Sequence, residues 1–160
     1  MAQVTLTTDV KNFSRNTFTS ATSGTPNRVT TTTRPTGSNS TVFGSSLNYI
    51  KLKLLSTGTT APTIYVFGWS FWSDTMTYVP QLLCSFSTTM SATSQTSPEG
   101  TTLYEVASMS LITGDAKFYS GVSGTGNGGF AMIDTVGCHT LEVCAVDATG
   151  TTIHVLSSGL

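Results

Sequence analysis

Charge is what this chain of 160 residues has least of. Asp, Glu, Lys and Arg make up 9% of it, against about 25% in an ordinary globular protein. A net charge of −1 excludes a bulk electrostatic pull toward nucleic acid or anionic lipid. The strong helix formers Ala, Glu and Lys are scarce. There are two histidines and three cysteines, Cys84, Cys138 and Cys144. So small and odd a set argues against a disulfide framework and for free, buried thiols in a reducing cytoplasm. No apolar run approaches the roughly 18 residues of a membrane span. Residues 1–20 lack the apolar segment of a signal peptide, so the two Asn-x-Ser/Thr sites at Asn12 and Asn39 carry little meaning.

What the chain has instead is hydroxyl. Ser and Thr together account for 53 residues and do the solvating that Lys and Glu usually do. Thr also favours strands, and the expectation is an all-β, antiparallel sandwich of jelly-roll type. The few charges are segregated. Residues 1–53 hold Lys11, Arg15, Arg28, Arg34, Lys51 and Lys53 against Asp9 alone, whereas residues 54–160 hold Lys117 against seven acids. Such a basic end and acidic body suit pairing between copies of the chain.

The chain divides at residue 46. Before it, a short strand over Gln3 to Thr8 leads into a Thr/Ser/Gly/Asn-rich stretch, 14–46, with no apolar periodicity. Phe13, Phe18, Val29, Val42 and Phe43 punctuate it, which suits an extended arm lying on another surface more than a free tail. The β body, 47–160, opens with clean alternation: Ile50, Leu52 and Leu54 face one way, Tyr49, Lys51 and Lys53 the other. Thr63 to Trp72 and Met76 to Phe86 read as a hairpin around Ser73-Asp74-Thr75, placing Gly68 opposite Pro80 and Val66 opposite Leu82. Pro80 marks an edge or a bulge. Ser97-Pro98-Glu99-Gly100 is a β-turn signature, Leu103 to Ile112 a strand, and Gly114 to Gly129 a glycine-rich loop around Lys117-Phe118-Tyr119. Phe130 to Thr135 is a further strand. His139 to Asp147 and Thr151 to Leu156 form a second expected hairpin, with Gly150 in the left-handed position of the turn. Seven or eight strands result.

The strand Thr63 to Trp72 is the most informative. It is apolar on both faces, with Tyr65, Phe67, Trp69 and Phe71 on one and Ile64 and Val66 on the other. Four bare aromatics in a row would exceed the apolar patch a soluble monomer usually shows. A second sheet, the chain's own arm or a neighbouring subunit must cover them.

Chemistry has little to work with. There is no nucleophile elbow and no phosphate loop. Gly124 to Gly129 lacks the Lys and helix that a phosphate loop needs. Cys138, His139, Cys144 and His154 are the nearest approach to a metal set, and the terminal hairpin would set Cys144 opposite His154. The adjacent Cys138 and His139 point to opposite strand faces, so no metal site is expected. Glu99, Glu105, Asp115, Asp134 and Glu142 offer no identifiable acid pair. No catalytic residue and no cofactor are assigned.

The signal-free chain, the Thr/Ser/Gly-rich arm (14–46) and the aromatic-Gly-Trp strand leading to Tyr78-Val79-Pro80-Gln81-Leu82-Leu83 together resemble head decoration or cement proteins of tailed bacteriophages. The resemblance lies in composition and layout across most of the chain. It implies a jelly-roll or sandwich domain, often trimeric, that sits on the outside of a virion and clamps neighbouring subunits of the major capsid protein, with neither nucleic acid nor membrane as partner. The expected partner interface is then Lys11, Phe13, Arg15, Phe18, Arg28 and Arg34 of the arm with Tyr65, Phe67, Trp69 and Phe71 of the aromatic row. The alternative is a carbohydrate- or receptor-binding module of a phage tail fibre or tail tip, with Trp69, Trp72, Tyr65 or Tyr78 as a platform for sugar rings.

Overall fold

A computed structural model describes residues 13–21, 24–35, 40–44, 48–96, 100–119 and 129–159. Lys11 and the Gln3 to Thr8 strand lie outside them. The described residues form ten strands: β1 (Phe13–Thr19), β2 (Ser40–Gly44), β3 (Tyr49–Ser56), β4 (Thr63–Trp72), β5 (Thr77–Thr96), β6 (Thr102–Gly114), β7 (Lys117–Tyr119), β8 (Phe130–Asp134), β9 (Thr140–Val146) and β10 (Thr152–Gly159). The all-β, antiparallel expectation holds. All ten belong to one sheet ordered β1-β10-β3-β6-β5-β4-β9-β2, with β8 on β3 and β7 on β8.

The sheet curls over one main core. Ile50, Leu52 and Leu54 of β3, Ala131 and Ile133 of β8, and Ile153 and Val155 of β10 share one buried cluster with Ile64 and Val66 of β4, Phe86 of β5, and Leu141, Val143 and Ala145 of β9. Phe86 meets Phe118 of β7 across the layers, ring centroids 5.1 Å apart. The alternation expected of β3 is what puts Ile50, Leu52 and Leu54 inside.

Three sequence expectations are corrected. The stretch 14–46 is not wholly an arm: β1 lies along β10, with Phe18 opposite Ile153, and β2 lies along β9, with Ser40 opposite Cys144. Its strands lack the sequence alternation that would reveal them. Second, β9 and β10 do not pair with each other. β9 pairs with β4 and β2, and β10 with β3 and β1. Gly150 has the expected positive φ of 74°, but its turn carries the chain from one layer to the other. Leu141, Val143 and Ala145 do share a core with Ile153 and Val155, across that core rather than along a ladder.

Third, the β4–β5 hairpin has a four-residue loop. Trp72 pairs with Thr77, Trp69 with Pro80, and Phe67 with Leu82. Met76 adopts φ 51° and so belongs to the turn. Asp74 Oδ1 accepts the Thr75 N–H at 2.8 Å, and the Thr75 and Thr77 hydroxyls lie 2.7 Å apart. A bulge at Leu83 then moves Cys84 opposite Val66. The aromatic row therefore has Phe71 beside Tyr78, Trp69 beside Pro80 and Phe67 beside Leu82. Pro80 precedes the point, Cys84, where β6 begins to pair, so the ladder there needs no donor from it.

Candidate functional site

The outer face of β9-β4-β5 is the part of the molecule where polar and aromatic groups converge. Phe67, Trp69 and Cys144 form a second buried cluster there, with Tyr65 and Tyr78 against it. Their cover is the chain itself. Residues 24–35 cross this face as a strap. Ahead of it in the chain the Ala21 N–H donates to Ala145 O at 2.9 Å, and within it Thr31 exchanges backbone hydrogen bonds of 3.0 and 2.7 Å with Tyr78. Phe67 and Trp69 are left only 6% and 3% exposed. Assignment of these two rings to a partner interface is thereby corrected, since the partner is a segment of the same polypeptide. Arg28 spans the strap and lies over the Phe67 ring, 5.6 Å from its centroid.

Glu142 is the centre of the arrangement. It points to the outer face because β9 alternates, Leu141 and Val143 going to the core. Arg28 Nε donates to Oε2 at 2.9 Å and Nη2 to Oε1 at 2.7 Å, a bidentate pair. Ser40 Oγ donates to Oε1 at 2.7 Å and Trp69 Nε1 to Oε2 at 3.1 Å. Every acceptor position of the carboxylate is thus occupied. One carboxylate ties together the strap, β2, β4 and β9. Burial pushes the Glu142 carboxyl up. The bonds from Arg28, Ser40 and Trp69, with the Arg28 charge, outweigh it and hold the group below its ordinary 4.5.

The folded state thus prefers the ionised form. The stability this confers is present above about pH 4.5 and is lost as pH falls through the lower folded value. In urea titrations between about pH 5 and about pH 3 the unfolding midpoint should fall with pH. Glu142→Gln should start lower and respond less. An equal acid response in the two proteins would place the titrating group elsewhere.

The thiols are poised against reaction. Cys84, Cys138 and Cys144 are free and buried. Burial, reinforced by Asp115, pushes Cys84 up to about 12, and burial, reinforced by Glu142, does the same to Cys144. Arg28 Nη2 also donates to Cys144 Sγ at 3.0 Å. Iodoacetamide at about pH 8 should leave both thiols unmodified in the native protein and label them after unfolding. Cys144 does not oppose His154, which pairs with Thr17 and Leu55. Among the described residues no group of three or more His, Cys, Asp or Glu side chains stands close enough to share a metal ion.

The structure brings together Arg28, Phe67 and Trp69 of the expected interface, with Tyr65 beside them. Phe71 lies farther along, its ring 4.9 Å from Tyr78. Arg34 is exposed on the strap. Phe13, Arg15 and Phe18 lie in β1, whose ladder partner is β10. Glu142 was not singled out by sequence reasoning, although one signal existed: it is a lone carboxylate inside the apolar run Leu141 to Val146. The charge segregation has an internal use as well. Both ion pairs among the described residues, Arg28–Glu142 and Lys53–Glu105 at 3.2 Å, join the basic first third to the acidic remainder.

A cavity of about 330 Å³ remains between strap and sheet, with Trp69 and Glu142 in its lining. No protein family, no curated protein and no solved structure matches the chain.

Proposed function

We propose that this chain is a non-catalytic structural protein of a virion, decorating and stabilising a viral shell by contact with the major capsid protein and with further copies of itself, a trimer by preference. The observation that carries the reading is the tip of the β4–β5 hairpin. Trp72, Met76 and Val79 are 55%, 63% and 36% exposed there, on a loop braced by Asp74, Thr75 and Thr77. Large apolar side chains exposed to solvent fit burial against another protein. The hydroxyl-rich, charge-poor composition and the resemblance in composition and layout to phage decoration proteins support the same reading. With Phe67 and Trp69 internal, the contact falls to the tip.

The test is sedimentation of the purified protein with shells stripped of decoration. Trp72→Ser with Met76→Ser should abolish co-sedimentation while thermal unfolding stays within a few degrees of wild type. Undiminished attachment of the double variant would refute the tip as the contact. A glycan-binding role is a second reading favoured by one observation, the bare Trp72 ring, since rings of this kind stack on sugars. In that case Trp72→Ala should remove every hit on a glycan array.

A further inference from the structure

The cavity under the strap has a lining the shell-binding role does not use. Arg28 already spends four of its five N–H donors among the described residues: two on Glu142, one on Cys144 and one, from Nη1, on the Asn27 carbonyl at 3.1 Å. One Nη1 N–H is left over among the described residues. Arg34 lines the same cavity and makes no ion pair among the described residues. Glu142 cancels the charge of Arg28 and has no acceptor capacity to spare, so the lining carries the unbalanced positive charge of Arg34. Asn27, Thr31 and Thr33 add amide and hydroxyl groups, the two threonine hydroxyls 3.2 Å apart. The floor is fixed, because Trp69 is held by its bond to Glu142.

The geometry points to a binding site for one small, carboxylate-bearing polyol, of the class of a uronic acid unit. A planar carboxylate matches the free guanidinium fork of Arg34. Hydroxyls around a sugar ring match the Arg28 N–H, Thr31, Thr33 and Asn27, which offer both donors and acceptors. At about 330 Å³ the space is at the small end of ligand pockets and suits a single ring. A bare anion would leave the hydroxyl-rich wall unused, and a neutral sugar would leave the Arg34 charge unmatched. This site's lining does not include Trp72, Met76 or Val79, so it stands or falls independently of shell attachment.

The test is calorimetric titration of the full chain with glucuronate, glucose and acetate, repeated on Arg34→Ala. Arg34 is exposed and unpaired within the described fold, so the variant should keep the wild-type unfolding temperature. Glucuronate should bind in the millimolar range or tighter, with affinity about tenfold or more lower in Arg34→Ala and about tenfold or more lower for acetate and glucose. Glucose bound as well as glucuronate, acetate bound as well as glucuronate, an unchanged Arg34→Ala affinity, or no heat from glucuronate would each overturn the assignment.

Discussion

Arg28→Ala should lower the free energy of unfolding by about 3 kcal/mol, far more than loss of a surface ion pair, which is worth at most about 1 kcal/mol. The difference lies in what is left behind. The Glu142 side chain is 4% exposed while that of Arg28 is 22% exposed, so deleting the cation leaves a largely buried carboxylate with no charge to balance it. Two of its four hydrogen bonds go with Arg28, and the remaining donors, Ser40 Oγ and Trp69 Nε1, carry no charge to balance it. The carboxyl should then take up a proton well above its present range, and the strap should lose its only ionic fastening to the sheet among the described residues. A second substitution separates this from simple loss of packing over Phe67. Arg28→Ala with Glu142→Gln keeps the amide oxygen as acceptor for Trp69 Nε1 and an amide N–H that the Ser40 hydroxyl can accept, removes the stranded charge, and should recover about half of the loss. Urea unfolding curves of the four proteins of the cycle measure it. A double variant no better than Arg28→Ala would mean that the pair acts through shape alone.

Gly114→Ala should be as damaging for a different reason. Gly114 ends β6 opposite Cys84 with φ +79°, and an added Cβ there would overlap the Leu83 carbonyl oxygen and come within 2.6 Å of Cys84 Cα. Both obstacles are backbone, so no rotamer change relieves them. The strand that has to move is β5 at its bulge, and that bulge assigns Tyr78, Pro80 and Leu82 to the outer face and Cys84 and Phe86 to the core. A loss of about 3 kcal/mol or more is expected. Gly100→Ala is the control: φ is +82° but nothing lies within 4 Å of the new Cβ, so only the left-handed backbone strain of about 1–2 kcal/mol should appear. Thermal unfolding of the two variants separates clash from strain, and equal losses would contradict the close approach at Leu83.

How legible this molecule is from its sequence depends on where each strand gets its neighbours. β3 and β4 announce themselves, because alternation in one and a two-faced apolar run in the other are local properties. β1 and β2 do not, since their pairing partners lie at the other end of the chain and their own residues carry no period. The β9–β10 error has the same origin. A turn with glycine in the left-handed position reads as a hairpin, while the burial of β9 on both faces, which makes it an inner strand of a different layer, is a tertiary fact. The four-residue loop after Trp72 differs from the expected three by one residue, enough to change every partner of the aromatic row. The site was the least legible part. Arg28 and Glu142 are 114 positions apart, and only the anomaly of a carboxylate within Leu141 to Val146 hinted that a cation must come to meet it.

The sequence alone posed the question of what covers the aromatic row, and the strap answers it. Acrylamide quenching of Trp69 fluorescence, in a Trp72→Phe background that leaves a single indole, tests that answer most directly. Blue-shifted emission, nearly immune to quencher, is expected with Arg28 present, and red-shifted, readily quenched emission after Arg28→Ala at denaturant concentrations where the sheet stays folded. A Trp69 already open to acrylamide with Arg28 in place would show that the strap does not close over this face and that its cover comes from another molecule.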